Sequence, residues 1–453
     1  MSSARSFSWL PLGAMLALAT VTMGWLLLDF AGRHTGMQPL DRVAGARVEV
    51  LEDSLGRKLL VSAEVAALPA TAWKVWGSSG FASGPAPVVI WARVTVPNAS
   101  DAAVSGMLSD VVRYADRVDL FMPGERRGEW THQRSGEWTP MDEKALWGRE
   151  TAFPLTVPAQ SARTVYLRYE DPMAVWLELA WWPDGRMFHA AMLRDLIAEG
   201  CYFGLLLALL FYNAVVWVRT RFAHSGYYLL YLGGFIVYLF GTRSGFAALG
   251  WAFGSPWMEM AGTVALPLSG ACLAEFMRRF LELPERLRGA DRMVVVARTL
   301  MLVLAGAALI APLTGHAGWL NAIVLGSTAT HALLLVAALA VWRAGAWQGR
   351  YFVLAFGSLF AGVMPATVLI NFLPLEEACR LVMVGAALEM LILSLAIADR
   401  FARLQQEKLA AQERAVAEAE QRRVIQEAYA DELEHEVRER TRELAKANAD
   451  KDR

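Results

Sequence analysis

Cysteine is scarce. The 453 residues hold three, Cys201, Cys272 and Cys379, all in or beside apolar stretches, and none lies between positions 31 and 190. A domain in that interval must fold without disulfides, and no CxxC pair offers a redox or zinc motif. Charged residues are also few, at 19%, and nearly balanced at a net −1, which removes the electrostatic basis for a nucleic-acid partner. The chain lacks a Gly-x-x-x-x-Gly-Lys-Ser/Thr phosphate loop, a His-Glu-x-x-His zinc helix and a Gly-x-Ser-x-Gly elbow. His132 and His189 have no ligand-spaced companions, so neither a metal nor another cofactor is expected. What abounds is apolar: 55% hydrophobic residues, a mean hydropathy of +0.33 and 17 Trp. Such a chain has lipid as part of its solvent and room for roughly three domains.

Ser6 to Leu28 carry no charge and come after Arg5, a run long enough to be an uncleaved signal anchor or, with its small residues at Ala17 and Ala19, a signal peptide within 1–30. Either role exports the residues C-terminal to it. Seven further apolar windows fall at 195–218, 226–247, 257–280, 294–313, 319–342, 351–373 and 380–399. Each is about 20 residues, the length a helix needs to cross hydrocarbon. Arginines crowd alternate connections, at Arg219 and Arg221, at Arg278, Arg279, Arg286, Arg288 and Arg292, at Arg343 and Arg350, and at Arg400 and Arg403. The positive-inside rule then places residues 31–190 outside, the seven-transmembrane domain at 191–400 and the C-terminus in the cytoplasm.

Between 31 and 190 both charge signs, Gly and Pro are interspersed with short alternating runs such as Val88–Val96 and Thr164–Tyr169, the pattern of an all-β sandwich. After Gly385 there is no Gly or Pro, so the seventh window continues as a single helix into a charged tail, 401–453. Leu433, Val437 and Leu444 in that tail form a short heptad seam, read as a dimeric coiled coil.

Several segments together resemble the bacterial 7TMR-DISM family, the seven-transmembrane receptors with diverse intracellular signalling modules. They are Tyr202–Asn213, Tyr227–Tyr231, Phe280–Pro284 and Leu388–Arg400 in the membrane half. Val118–Pro123 and Phe153–Pro158 resemble the family's type 2 extracellular domain. The resemblance implies a jelly-roll-like periplasmic domain similar to carbohydrate-binding modules, in the inner membrane, reporting an outside ligand to an inside output. Leu433–Leu444 looks like the linker helix that precedes histidine kinase or diguanylate cyclase domains, with the kinase favoured. Neither catalytic domain lies within these residues, so either a longer chain or a separate cytoplasmic kinase or response regulator would supply the output.

Candidate site residues emerge from depth and surroundings. Glu389 falls near the middle of the seventh window, where a carboxylate is costly, and His331 lies at comparable depth in the fifth. A Glu389 to His331 contact is a candidate transmembrane switch, set against local bonding of Glu389 to Ser394 or to another helix. Asn213 and Asn371 read as interhelical hydrogen-bonding residues. Trp73, Trp76, Trp130 and Trp138, in polar or Gly-rich surroundings, are candidates to stack on a sugar ring, whereas Trp91 and Trp176 read as core and Trp181 and Trp182 as an interfacial belt. His435 reads as an exposed heptad position, because no nucleotide site accompanies it. The functional expectation is a dimeric signalling receptor for a periplasmic small molecule or glycan. A non-catalytic scaffold that recruits a signalling enzyme is one alternative, and a transporter another, disfavoured because seven spans do not divide into equal repeats.

Overall fold

The computed structural model describes residues 24, 36–52, 62–76, 79–83, 88–112, 115–124, 126, 129–171, 174–242, 256–314, 318–368 and 375–451. The N-terminal apolar run, apart from Gly24, and Asn371 lie outside them.

Strict alternation turns the first half into antiparallel strands. One sheet runs β3 (Lys74–Val75), β2 (Arg47–Glu52), β5 (Val88–Asn98), β10 (Ser161–Asp171), β7 (Arg117–Pro123) and β8 (Trp130–Ser135). The other runs β1 (Gln38–Pro39), β11 (Ala174–Trp182), β6 (Val104–Asp110) and β9 (Ala152–Val157), with β4 (Ser79–Ser83) also paired to β11. Ile90, Ala92, Val94 and Val96 of β5 and Val165 and Leu167 of β10 face one core together with Leu108, Phe153, Leu155, Leu177, Leu179 and Trp181 of the other sheet. The period of two therefore buries one row from each sheet, and the domain is a two-sheet sandwich. Gly106 on β6 is required by close approach: a Cβ there would stand 2.2 Å from the Trp182 carbonyl oxygen and 2.7 Å from the Trp181 ring.

Trp181 and Trp182 are both buried. Trp181 belongs to the sandwich core, and Trp182 packs edge-on against Phe188 while its indole N–H donates to Ser109 Oγ at 3.0 Å. Their expected place in an interfacial belt is thus corrected. Trp181 fills the inner face of β11, and Trp182, pointing the other way, is covered by Phe188 of α2.

The helices are α1 (Ser62–Ala66), α2 (Gly185–Thr220), α3 (Ala223–Thr242), α4 (Pro256–Phe280), α5 (Leu283–Arg286), α6 (Arg288–Thr314), α7 (Gly318–Arg343), α8 (Gly349–Val368) and α9 (Leu375–Lys451). Asp184 caps α2 by accepting from the Arg186 backbone N–H at 2.9 Å, and Arg221 in a left-handed conformation ends it. Among the described residues five helices, α2, α6, α7, α8 and α9, are long and apolar enough to cross a membrane, and the chain is a multi-pass membrane protein. Helices α3 and α4 occupy the second and third apolar windows.

Where α8 meets α9, a Cβ on Gly362 would lie 2.3 Å from the Leu381 carbonyl oxygen, and one on Gly385 2.8 Å from that of Ser358. Two glycines let the backbones touch, the small-residue packing that membrane helices use. Residues up to Ser394 belong to one compact unit and those from Leu395 to another, and α9 runs through the boundary as 77 residues of unbroken helix.

Candidate functional site

The third and fourth turns of α2 carry Asp195 and Glu199, four residues apart and therefore on one face, and both are buried. Each meets an arginine from a different part of the chain. Arg149, in the connection between β8 and β9, bonds Glu199 and lies 3.4 Å from the Glu150 carboxylate. Arg380, near the start of α9, donates to Asp195 at 2.5 Å. The same face continues with Tyr202, whose hydroxyl donates to the Met383 carbonyl at 3.1 Å. A chain of buried polar contacts thus links the sandwich to α2 and α2 to α9. Breaking a buried pair of this kind costs about 3–5 kcal/mol.

Deeper along α9 the contacts are hydrogen bonds without a cationic partner. Asn213 donates to Ser394 Oγ at 3.0 Å and to the Leu209 carbonyl at 2.9 Å. The Tyr228 hydroxyl on α3 reaches the Met390 carbonyl at 2.5 Å and Ser394 Oγ at 2.9 Å. Tyr231 donates to Glu389 Oε2 at 3.0 Å. Glu389 Oε1 is buried and has no hydrogen-bond partner among the described residues.

The expected contact of Glu389 with His331 is not made. His331 Nδ1 instead sits 2.8 Å from the Ser327 carbonyl, within its own helix, and its ring lies edge-on to Phe356. The phase of α7 aims His331 at α8, while α3 supplies the group that faces Glu389. Asn213 lies on another helix's Ser394, as an interhelical residue should.

The four tryptophan candidates separate. Trp73 and Trp130 come together around Tyr166, with ring centroids 6.1 and 5.7 Å from it, on the face of the larger sheet that points away from the sandwich core. Trp73 is only 6% exposed, with the Arg93 guanidinium 4.6 Å from its ring centroid, so it offers no free stacking face. Trp76 is half-buried and packs against the sandwich core. Burial by the neighbouring strands is the physical reason Trp73 is closed off. Trp130 is half-buried and Trp138 stands apart, 5.8 Å from the Arg117 guanidinium. Beside Trp130, Asp119 holds His132 at 2.7 Å and Arg134 at 3.2 Å. Leu433, Val437 and Leu444 are exposed on the single chain.

One titrating group in the sandwich is far from its ordinary state. Burial pushes the Asp110 carboxyl up to about 8, against backbone hydrogen bonds from Val112 and Glu178 and the nearby Tyr169 hydroxyl. Burial also raises Tyr169 well above the usual phenol range, with Asp110 adding to it.

Sequence alone does not single out Arg149, Asp195 and Glu199, and it presents Arg380 only as a loop charge. The available signal is a pair of acids spaced by four inside the start of an apolar window, which by itself calls for buried partners.

Residues 195–400 match the family described as 7TM diverse intracellular signalling, and residues 45–183 match 7TMR-DISM extracellular 2. No curated protein matches the chain. Two modules of one family, consecutive and spanning both the sandwich and the helices, identify the chain as a member of the 7TMR-DISM family that carries its type 2 extracellular domain.

Proposed function

We propose that this receptor sits in a bacterial inner membrane, crosses it seven times after its periplasmic sandwich, and transmits ligand binding through α9 to a cytoplasmic output such as a histidine kinase. The observation that carries the reading is the run of buried pairs Arg149–Glu199 and Asp195–Arg380, because it ties the sandwich to the helix that becomes the tail. Ligand binding would favour one of two arrangements of these contacts. A tenfold preference for one state supplies about 1.4 kcal/mol, enough to act only if the resting states are nearly balanced.

A glycan is the ligand class we favour, from the family of the outer domain and the half-buried Trp130 beside Tyr166, His132 and Arg134. The tail would pair with a second copy along Leu433, Val437 and Leu444, each exposed on one chain. The charged helix equally suits recruitment of a separate signalling enzyme, and both routes use the same seam.

The test is disulfide cross-linking in membranes of chains with Cys at 433, 437 or 444, with Arg149 intact or replaced by Ala. The reading expects the favoured cross-linking position to change when Arg149 is lost. The same pattern in both backgrounds overturns it.

A further inference from the structure

Trp147 is 77% exposed, although the short segment that bears it is firmly held. Ala145 N–H donates to the Arg134 carbonyl at 2.7 Å, Lys144 Nζ to the Gly148 carbonyl at 3.2 Å, and Arg149 bonds Glu199. Its exposure is therefore a fixed display, and an indole displayed to water wastes a large apolar area. The neighbouring Gly148 places the tip beside α2, since a Cβ there would stand 3.9 Å from Met192 Sδ.

On α2 an exposed apolar stripe begins one residue later and runs through Leu193, Leu196, Ile197, Leu207, Phe211 and Val218. From 193 to 218 such a helix extends about 39 Å, against about 30 Å of hydrocarbon. At the other end Trp217 and Arg221 stand together, the guanidinium 5.3 Å from the ring, as residues at a headgroup layer do. The excess length at the outer end puts Leu193 and Ile197 at the opposite boundary, with the Trp147 segment abutting α2 at the preceding residue, Met192.

We infer that the connection between β8 and β9 is a membrane-docking element, and that Trp147 seats the sandwich on the lipid headgroup layer. The segment abuts α2 at Met192, one residue before the exposed apolar stripe of that helix, and this is what selects lipid over a protein partner as its occupant. The inference rests on the membrane location of the helices and not on the proposed signalling.

The test uses the full chain in phosphatidylcholine–phosphatidylglycerol nanodiscs, with Cys201, Cys272 and Cys379 replaced by Ser or Ala and a nitroxide placed through Trp147→Cys. Val75→Cys on the exposed edge strand β3 is the reference. Collision with lipid-soluble oxygen should exceed collision with a water-soluble nickel chelate at 147, and the order should reverse at 75. A nickel-accessible label at 147 overturns the inference, because the indole then faces water. A label inaccessible to both reagents also overturns it, because a second copy or another protein then covers the site. Brominated lipid provides an independent reading: it should quench more of the intrinsic fluorescence in the native chain than in Trp147→Ala, and equal quenching counts against lipid contact.

Discussion

Asp195 of α2 accepts a 2.5 Å hydrogen bond from Arg380 of α9, with both side chains almost fully removed from solvent. One turn further along α2, Glu199 holds Arg149 from the sandwich, so adjacent acids on one helix grip two different parts of the protein. Neither grip can loosen without exposing a charge to a poor solvent.

Asp195→Asn or Arg380→Ala alone should therefore destabilise the chain by about 3 kcal/mol or more. The apolar double replacement Asp195→Leu with Arg380→Met should recover most of that loss. Thermal unfolding in detergent micelles checks this, and a double variant as unstable as the singles would count against a simple paired-charge account.

Removing Tyr231 should leave Glu389 with neither oxygen bonded, since Oε1 already has no partner among the described residues. Tyr231→Phe is expected to cost about 1–3 kcal/mol. Glu389→Gln, which keeps an acceptor for the tyrosine, should cost less, and His331→Phe should leave Glu389 unaffected. Unfolding midpoints of the three variants, compared under one condition, decide the order.

Asp110 should give the sandwich a falling stability between about pH 4 and about 8. Its folded pKa is raised from 3.8 to about 8, so across that interval the folded state binds more protons than the unfolded one, and unfolding becomes easier as pH rises. Asp110→Asn keeps an acceptor for the Val112 and Glu178 N–H groups and should flatten this slope. Thermal unfolding of both chains across the interval shows it, and parallel slopes would mean that another group is responsible.

The proposed topology, with seven crossings between the sandwich and the tail, puts these parts on opposite sides of the membrane. Glu129→Cys and Lys408→Cys, tested one at a time in a cysteine-free chain, should show this with an impermeant maleimide. In spheroplasts position 129 should label and position 408 should label only after lysis. Labelling of both before lysis would remove the seven-crossing topology.

The sandwich is legible in the sequence because period-two alternation depends only on each strand having one wet and one dry face. Val88–Val96 and Thr164–Tyr169 accordingly lie within β5 and β10, paired directly. The apolar windows are legible for the same reason, although α2 begins at Gly185, well before its window, since a capped helix extends past the lipid at no cost in hydropathy. The site is harder to read. Which helix faces Glu389 depends on packing between distant segments, so depth alone points to His331 where the fold supplies Tyr231. Trp73 has polar neighbours in sequence, but its burial is decided by strands that close over it from elsewhere in the chain. Trp147 carries no signal in sequence because only the register of a loop against α2 brings it to the lipid boundary.

The glycine contact between Gly362 and Gly385 has a mechanical meaning for α9. Interlocked side chains resist sliding because each must climb over its neighbour, whereas two bare backbone surfaces resemble a plain bearing, with little to climb. On that side α9 meets low friction, while on the other its position is latched by Arg380, by the hydroxyls of Tyr202 and Tyr228 and by Asn213. On the proposed signalling route, a helix seated on a smooth bearing and held by a few polar latches would move in steps set by which latches are closed.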